Sequence, residues 1–322
     1  MSPFPLLRLL GHDDFVPGPQ LAEALGVSRA SVSLALRSAA ELGVELHTVK
    51  GRGYRLARPI GWLDEASVAR ALGERARFFD LKLFDEIDST NTALMAAAGQ
   101  GAPSGLVYAA ERQTAGRGRR GRRWQGALGD ALMFSLLWRF NLGVADLSGL
   151  SLAIGVAVAR ALQALGVAGA RLKWPNDIVC SEGKLGGILI ELSGDALGPS
   201  AVVIGIGLNL RLAEAARAAL DQPAASLAAL GYAGERNQLL AAVLAELALL
   251  LPAFEAAGFA PLAAEWEARH AMQGMPARLL LPDGSAVEGV ALGIAADGAL
   301  RFGGPDGERR VHAGEVSLRS AV

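Results

Sequence analysis

The chain has 322 residues, of which 52% are apolar and 20% are charged, and its formal net charge is −1. This length allows two or three globular domains, and the composition argues against a disordered chain. The near-zero charge excludes attraction of the whole molecule to polyanions, so any affinity for nucleic acid has to come from a local basic patch.

The composition also bears on location and on metal chemistry. Two long apolar stretches are not expected to span a membrane, because Arg160 interrupts one and Glu246 interrupts the other. The N-terminal residues lack a small-residue cleavage site, so we expect a cytoplasmic protein. The single cysteine, Cys180, cannot form an internal disulfide, and the four histidines have no metal-ligand spacing. We therefore predict no zinc site and no protein-built metal site.

Residues 1–62 are predicted to form a winged helix-turn-helix domain. Apolar residues at helical spacing flank a break at Gly26 and an N-cap at Ser28, the pattern of two helices joined by a short turn. Residues 45–59 then alternate apolar and polar side chains around a basic turn, which predicts a two-stranded wing. Seven Lys and Arg against five Asp and Glu make the domain only weakly basic.

Six side chains of this domain are candidates for contact with DNA. Basic and hydroxyl groups on a recognition helix and a wing reach phosphates and base edges, but they also suit the solvated face of a packing module. Both interpretations stay open, and an operator of two half-sites would require a dimer. The candidates are Arg29, Ser31, Ser33, Arg37, Lys50 and Arg52.

Residues 63–271 are predicted to form a central α/β domain around one mixed sheet. Two long helices are expected at 148–166 and 236–258, where apolar residues recur at helical spacing. Strands are expected at 82–88, 105–111, 131–140, 170–180, 184–193 and 201–210.

Residues 272–322 have a different pattern, in which turn signals such as PDGS, ADG and GGPDGE separate short apolar runs. This spacing predicts a small C-terminal β-barrel. The predicted fold class of the whole chain is therefore α+β.

The segment GRGRRGRRW, residues 116–124, is named the basic loop. Gly116 to Gly121 match G-x-G-x-x-G, but bulky charged residues follow, and Asp130 comes too early for a ribose-binding acid. A dinucleotide site is therefore disfavoured, and we expect guanidinium and N–H groups that wrap carboxylate or phosphate oxygens. A solvated charged loop and an RNA contact remain alternatives. Repulsion between the arginines should keep the loop mobile until a ligand orders it.

Three further segments place polar groups beside predicted strands. IDSTN, residues 87–91, offers hydroxyl and amide groups at a strand end, although its Ser and Thr equally suit a helix N-cap. KWPND, residues 173–177, and GKLGG, residues 183–187, bring two lysines and a carboxylate together. A lysine among glycines suits an anionic ligand, or else it protects a hairpin edge from aggregation.

Taken together and in this order, the motifs resemble the bifunctional biotin protein ligase and biotin operon repressor family. The motifs are IDSTN, ERQTAGRGRRGRRW, KWPND, GKLGGILIE, GIGLN and the terminal GEVSLRS. The resemblance implies that the C-terminal barrel is SH3-like. It also implies that biotin and ATP, with Mg²⁺, form biotinyl-5′-adenylate and pyrophosphate. Biotin then passes to a lysine of a biotin carboxyl carrier domain. It also implies a repressor that binds operator DNA as a homodimer when it holds the adenylate.

The resemblance assigns site residues by their position in these motifs. Biotin would contact Ser89, Thr90, Asn91, Gln113, Arg117, Gly118, Arg119 and Lys184. ATP and the adenylate would contact Arg119, Arg122, Trp124, Lys173, Asn176, Lys184, Asn209 and Arg319. The catalytic residues would be Lys184, Arg119, Arg117 and Asp177.

Several roles stay open at this point. Lys173 and Asp177 would orient the acceptor lysine, bind Mg²⁺ or pair with each other. The loop after GIGLN has no aromatic side chain, so Pro223 or Leu227 would have to cover the adenine. The competing functions are a biotin sensor without catalysis and a lipoate or octanoate ligase of the same fold.

Overall fold

The computed structural model describes residues 2–194, 198–218, 220, 222–281, 285–312 and 317–320. The chain divides into two compact units. The first consists of Met1–Trp62 with Gly126–Asp130, and the second of Leu63–Gln125 with Ala131–Val322.

The described residues of the first unit form three helices and a two-stranded hairpin. These are α1 (Phe4–Arg8), α2 (Gly18–Leu25), α3 (Arg29–Glu41), β1 (Leu46–Val49) and β2 (Gly53–Leu56). Helix α2 ends at Gly26, whose φ of 62° is a left-handed conformation that glycine adopts without strain. Helix α3 begins after Ser28, whose Oγ accepts a hydrogen bond from the Ser31 N–H at 3.1 Å. The predicted break, N-cap and wing are therefore confirmed.

The helices of the first unit are held by one apolar cluster. Leu21 of α2 and Val32, Ala35 and Leu36 of α3 are buried in it together with Leu56 of β2. Because buried positions recur every three or four residues along α3, the remaining side chains of that helix form an exposed face.

The second unit is built on a seven-stranded mixed sheet. Its strands are β3 (Asp80–Ile87), β4 (Leu106–Gln113), β5 (Ala131–Phe140), β6 (Arg171–Lys173), β7 (Asp177–Cys180), β8 (Gly183–Gly194) and β9 (Ser200–Asn209). They lie in the order β3-β4-β5-β9-β8-β7-β6, in which β3 and β4 are parallel and the other pairs are antiparallel. The predicted mixed sheet is confirmed.

One predicted strand of this sheet is wrong. Residues 170–180 form not a single strand but β6 and β7, which pair with each other across the turn at 174–176. Pro175 lies in that turn and has no backbone N–H to donate to a neighbouring strand, so an uninterrupted ladder through it is not available.

Six helices accompany the strands in the described residues of the second unit. They are α4 (Glu65–Leu72), α5 (Thr90–Gly99), α6 (Leu150–Ala164), α7 (Glu214–Ala218), α8 (Arg236–Ala257) and α9 (Ala263–Arg269). The main apolar core includes most of α6, the inward face of α8 and the central strands β5 and β9.

Helix α8 contains the second of the two apolar stretches. Despite Glu246, its 22 residues are long and apolar enough to cross a membrane, the one such helix in the described part of the chain. Half of its most apolar stretch is buried, and it packs against α4 and α6 through side chains such as Leu247 and Phe254. It therefore has the packing of a core helix.

The C-terminal strands form a separate antiparallel sheet within the second unit. The strands β10 (Pro276–Leu280), β11 (Ala286–Ile294), β12 (Leu300–Gly304), β13 (Gly307–Val311) and β14 (Ser317–Ser320) lie in the order β13-β12-β11-β10-β14. The predicted small β-domain is confirmed as a five-stranded antiparallel sheet. Residues 282–284 of the PDGS turn and residues 314–316 of the terminal motif lie outside the described residues.

Candidate functional site

The first part of the site lies where β3 and β4 end. These strands are parallel, with Ile87 opposite Gln113, so the residues that follow both strands meet at one edge of the sheet. Ser89 is the N-cap of α5, because its Oγ accepts a hydrogen bond from the Thr92 N–H at 3.3 Å. The N-cap interpretation of IDSTN is confirmed. The bond uses the Ser89 oxygen as an acceptor and leaves the hydroxyl hydrogen as a donor.

Thr90 and Gln113 form a polar pair beside this cap. Gln113 Oε1 accepts a hydrogen bond from the Thr90 N–H at 2.8 Å, and Thr90 Oγ1 lies 3.2 Å from the same oxygen. Thr90 Oγ1 also lies 2.6 Å from Ser135 Oγ of β5. Thr90 and Ser135 are both buried, so these polar groups depend on one another for partners.

Asn91 extends the polar cluster toward β8. Its Oδ1 accepts a hydrogen bond from Ser135 Oγ at 2.5 Å, and its Nδ2 donates to Glu191 Oε2 at 2.9 Å. A Cβ atom on Gly205 of β9 would lie 2.2 Å from Asn91 Oδ1. Glycine at 205 therefore makes room for the Asn91 amide against the sheet.

The basic loop folds back on itself. The Gly118 N–H donates to the Arg122 carbonyl at 2.8 Å, and the Trp124 N–H donates to the Gly116 carbonyl at 2.9 Å. A Cβ atom on Gly116 would lie 2.4 Å from the Trp124 carbonyl oxygen. The structure describes all residues from Gly116 to Gly121, and the only helical segment among them is the short 3₁₀ turn Arg119–Gly121. No α-helix begins inside the glycines. This geometry agrees with the rejection of a dinucleotide site.

Side chains of the basic loop reach residues from other elements. Arg117 Nη1 lies 2.8 Å from Glu191 Oε1, and Arg119 Nη1 donates to Asn176 Oδ1 at 3.2 Å. The Asn176 amide in turn donates to the Ile188 carbonyl of β8 at 2.7 Å. The loop is thereby tied to β8 and to the turn before β7, as the order of the motifs implied.

Lys184 and Asp177 form an ion pair in the middle of the site. Lys184 Nζ lies 2.5 Å from Asp177 Oδ1, and both side chains are 18% exposed. Gly187, opposite Asp177 in the β7–β8 ladder, opens the space that they share, since its added Cβ would lie 3.2 Å from Lys184 Nζ. Lys173 lies opposite Asp177 in the β6–β7 ladder, and the charge of Asp177 acts to raise the pKa of Lys173, but no ion pair of Lys173 occurs in the described part of the chain.

Trp124 closes one side of this ion pair. The Lys184 Nζ atom lies 5.9 Å from the centre of a Trp124 ring. The indole packs directly over β9, where a Cβ atom on Gly207 would lie 2.4 Å from its Cε2 atom. The indole Nε1 is buried and has no hydrogen-bond partner among the described residues.

Positive charge accumulates around Asp177. Burial lowers the pKa of Lys173, and the neighbouring cation Arg319 lowers it further. Burial also lowers the pKa of Arg319, and Arg122 adds to that effect. Since removing a cation from water beside other cations is unfavourable, a bound polyanion would restore these pKa values and stabilise the cluster.

Arg319 brings the C-terminal sheet to the site. It lies on β14, and its Nη1 donates a hydrogen bond to Gln222 Oε1 at 3.0 Å. Gln222 belongs to the loop that follows β9, the segment that the resemblance places over the adenylate.

Two residues near that loop have structural contacts that sequence analysis did not foresee. Asn209 is buried, and its amide donates to the carbonyls of Lys184 at 3.4 Å and of Ala225 at 3.2 Å. Leu227 is fully buried in the main core, so it does not cover a ligand. Of the two side chains proposed for that task, Pro223 is left, and its carbonyl accepts the Lys184 N–H at 2.9 Å.

The predicted DNA-contacting residues lie in the first unit. Arg29, Ser33 and Arg37 are on the exposed face of α3, and Lys50 and Arg52 are exposed in the wing. Ser31 is partly buried, and its Oγ lies 2.9 Å from the N-cap Ser28 Oγ. The Arg52 guanidinium packs over the Phe15 ring at 4.9 Å.

Sequence analysis missed two residues of the polar cluster, Ser135 and Glu191. Ser135 stands in the apolar, buried strand ALMFSLLWRF, where a polar side chain needs a partner, and that signal could have found it. Glu191 is a partly buried charge that follows the apolar residues ILI in β8, which is a weaker signal of the same kind.

The described residues contain no group of three or more His, Cys, Asp or Glu side chains that could hold a metal ion. A magnesium ion that accompanies ATP is held chiefly by phosphate oxygens and needs one or two carboxylates from the protein. Asp177 supplies one carboxylate beside the cationic cluster, so the residues present fit such an ion.

Three families of known proteins match successive parts of the chain. Residues 5–55 match a helix-turn-helix domain family, described as HTH domain. Residues 83–209 match the Biotin/lipoate A/B protein ligase family, and residues 276–319 match the Biotin protein ligase C terminal domain.

Similar proteins match over most of the chain. The bifunctional ligase/repressor BirA of Escherichia coli is 36% identical over 319 residues, covering 99% of this chain and 98% of that protein. The biotin--[acetyl-CoA-carboxylase] ligase of Mycobacterium tuberculosis is 37% identical over 245 residues, which cover 74% of this chain and 89% of that protein. The structure of the biotin protein ligase of Aquifex aeolicus in complex with biotin and ATP is similar, with a TM-score of 0.64 and 29% sequence identity. The match covers 75% of this chain and 99% of that one.

Proposed function

We infer the function from the premise that this chain belongs to the biotin/lipoate A/B protein ligase family, within its group of bifunctional ligase/repressors. The protein is an ATP-dependent biotin protein ligase with a winged helix-turn-helix domain for transcriptional repression. Biotin and ATP are its substrates.

The observation that best supports this function is the convergence of the basic loop, β7 and β8. Arg119 contacts Asn176 at 3.2 Å, and the next residue, Asp177, pairs with Lys184 at 2.5 Å. Beside them lie the hydroxyl and amide groups of Thr90 and Gln113, which suit the N–H and carbonyl groups of a cyclic urea. One end of the site thus suits the ureido ring, and the other suits a carboxylate and phosphates.

In the first reaction, a carboxylate oxygen of biotin attacks the α-phosphorus of ATP. A new P–O bond forms, the bond to the β-phosphate oxygen breaks, and pyrophosphate leaves. We assign Lys184 and Arg119 to the oxygens on which negative charge develops, and Arg117 to the biotin carboxylate. The protein supplies no nucleophile, so catalysis consists of positioning and charge stabilisation.

In the second reaction, the amine of an acceptor lysine attacks the acyl carbon of biotinyl-5′-adenylate. An amide bond forms, and the bond between the acyl carbon and the phosphate oxygen breaks to release AMP. Mg²⁺ would neutralise phosphate charge in the first reaction, with Asp177 as its protein ligand. The amide and carbonyl groups around Asn176 and Asn209 would contact the nucleotide.

Several finer statements complete the proposal. The acceptor is a biotin carboxyl carrier domain of a biotin-dependent carboxylase, and the repressor binds operator DNA as a homodimer that holds the adenylate. Residues 1–62, 63–271 and 272–322 form the DNA-binding, catalytic and C-terminal domains. The protein acts in the cytoplasm.

Biotin-dependent exchange of labelled pyrophosphate into ATP tests the proposal. A ligase exchanges label only when biotin is present, whereas a biotin sensor without catalysis exchanges none. Parallel reactions with lipoate or octanoate test the alternative substrates. Exchange that depends on either of these acids and ignores biotin would replace the proposed substrate.

A further inference from the structure

A chain of side-chain contacts joins the ureido-binding end of the site to the basic loop. Beginning at Gln113, it passes through Thr90, Ser135 and Asn91 to Glu191, and from Glu191 to Arg117. Ser135 and Glu191 have no part in the proposed reactions. The role inferred here for Glu191 rests on the proposed function, because it takes Arg117 as the group that binds the biotin carboxylate.

The direction of these hydrogen bonds is fixed from the Glu191 end. A carboxylate only accepts, so Asn91 turns its NH₂ group toward Glu191 Oε2, and toward the Leu189 carbonyl at 3.4 Å. Asn91 Oδ1 then accepts from the single hydroxyl hydrogen of Ser135. Ser135 has no second hydrogen to give, so Thr90 donates its single hydroxyl hydrogen across the 2.6 Å contact with Ser135, the shorter of its two contacts, and its 3.2 Å contact with Gln113 Oε1 is the weaker one.

This direction determines what Thr90 and Gln113 offer to a ligand. The Thr90 hydroxyl hydrogen is used within the chain, so Thr90 Oγ1 presents lone pairs that accept from an N–H group. Gln113 Oε1 is occupied by the Thr90 N–H, so its NH₂ group is the part left to donate to a carbonyl. A cyclic urea has both groups.

At the other end of the chain of contacts, Glu191 pairs with the Arg117 guanidinium, the group that we assign to the biotin carboxylate. Arg117 Nη1 lies 2.8 Å from Glu191 Oε1, with side-chain exposures of 50% and 21%. A second carboxylate that approaches Arg117 has to displace Glu191 or sit beside it, and like charges at such distances repel.

We propose that Glu191 is a positioning residue with two separable effects. Through Asn91 and Ser135 it directs the hydroxyl hydrogen of Thr90, and through Arg117 it competes with the biotin carboxylate. The second effect makes Glu191 a specificity element: it opposes ligands that have a carboxylate and leaves neutral ligands unaffected.

Two substitutions separate these effects. In Glu191→Gln the side-chain oxygen still accepts from Asn91, while the new NH₂ group cannot accept from Arg117. In Glu191→Ala both contacts are lost. Calorimetric titration is done on the full chain with biotin and with biotinol, in which CH₂OH replaces the carboxylate. Glu308→Gln is the matched control, because Glu308 pairs with Arg301 at 2.7 Å in the C-terminal sheet, outside the site.

For Glu191→Gln we expect biotin to bind about three- to five-fold more tightly, the effect of losing one partly exposed ion pair. The affinity for biotinol should stay within experimental error of the unsubstituted protein. Glu191→Ala should weaken both ligands, because Asn91 loses the acceptor that orients it. Weaker or unchanged biotin binding by Glu191→Gln would overturn the competition, as would equal changes for both ligands.

Tryptic cleavage gives a second readout, since the basic loop contains five arginines. Without ligand, Glu191→Gln should be cut in the loop faster than the unsubstituted protein, because Arg117 has lost its ion pair and keeps only the longer hydrogen bond to Thr92 Oγ1. Equal cleavage rates would show that Glu191 does not hold the loop. If the unsubstituted protein does not bind biotin in calorimetry, the proposed function fails, and that result is distinct from a failure of the role proposed for Glu191.

Discussion

At the scale of single residues, Lys184 has the most direct contact with the proposed chemistry. Its ammonium group is paired with Asp177 at 2.5 Å and lies near the Trp124 ring, so it is already held where charge is expected to develop. A group that is held before the reaction does not have to reorganise during it, and such groups contribute most to electrostatic catalysis.

Lys184→Ala should therefore lower the rate of biotin-dependent pyrophosphate exchange by about 100-fold or more. The substitution removes a cation and leaves the Asp177 carboxylate without its partner beside the phosphates. Lys82→Ala is the control, because Lys82 forms an exposed ion pair with Asp80 on β3. Exchange by Lys184→Ala within about two-fold of the unsubstituted protein would remove Lys184 from the site.

A second residue, His270, links pH to stability. The pKa of His270 is lowered from 6.5 to about 4, chiefly by burial and in part by the charge of Lys173, while a hydrogen bond with Gln273 acts in the opposite direction. At a pH between about 4 and 6.5, His270 is protonated in the unfolded chain and neutral in the folded chain. The contribution of His270 to stability is therefore complete above pH 6.5 and is lost as the pH falls toward 4.

From pH 7 to pH 5 this effect should lower the free energy of unfolding by about 2 kcal/mol. His270→Phe keeps an aromatic ring beside Trp266 and should be less sensitive to pH by that amount. Urea unfolding of both proteins at the two pH values measures the difference, with the exposed His47→Gln as control. Equal losses in His270→Phe and the unsubstituted protein would contradict the assignment.

The sequence predicts a site residue when that residue stands in a short motif together with other ligand-binding groups. Lys184, Arg119 and Asn176 stand in motifs that display several ligand groups together, and the structure brings them together. Glu191 is far along the chain from Asn91 and Arg117, and its contacts depend on strand pairing that no local pattern encodes. Lys173 lies directly opposite Asp177 in the β6–β7 register, yet Asp177 pairs with Lys184 of β8, a contact that no local pattern encodes.

At the scale of elements, strand β9 determines how closely the basic loop approaches the sheet. Gly207 leaves room for the Trp124 indole, whose Cε2 atom would be 2.4 Å from an added Cβ. The strand itself was predictable from its apolar run. The role of Gly207 was not predictable, because the sequence does not tell whether a glycine in a strand makes room for a packed side chain or only weakens the strand pairing.

Gly207→Ala should lower the affinity for biotin and ATP by about tenfold, because the displaced indole no longer covers the ion pair of Lys184. Calorimetry measures the affinities, and Trp fluorescence reports the movement of the ring. Gly99→Ala at the end of α5 is the matched control, since an added Cβ there meets nothing within 4 Å. Unchanged affinities in Gly207→Ala would show that Trp124 has no part in ligand binding.

At the scale of the whole molecule, the charge distribution separates the two activities. The net charge of −1 gives no general attraction to DNA, and the exposed arginines and lysines of α3 and the wing are the candidates for phosphate contact. Arg37 illustrates their placement: it is exposed, and its Nε donates to the Ser33 carbonyl along the helix at 3.4 Å.

Arg37→Ala should reduce the slope of log affinity against log salt concentration by about one for each phosphate contact that is lost. Fluorescence anisotropy on operator-like DNA, with biotin and ATP present, measures this slope. Arg75→Ala is the control, because Arg75 is exposed in the second unit. A slope that Arg37→Ala leaves unchanged would place Arg37 outside the DNA interface.

The length and apolar composition of helix α8 have a consequence for synthesis on the ribosome. Helix α8 resembles a membrane-spanning segment in length and composition, so if it were left uncovered it would invite aggregation or mistargeting. Its packing partners α4 and α6 precede it in the chain and emerge from the exit tunnel first. Translation therefore delivers α8 to a surface that has already been made, and the order of the chain shortens the time for which the nascent helix is exposed.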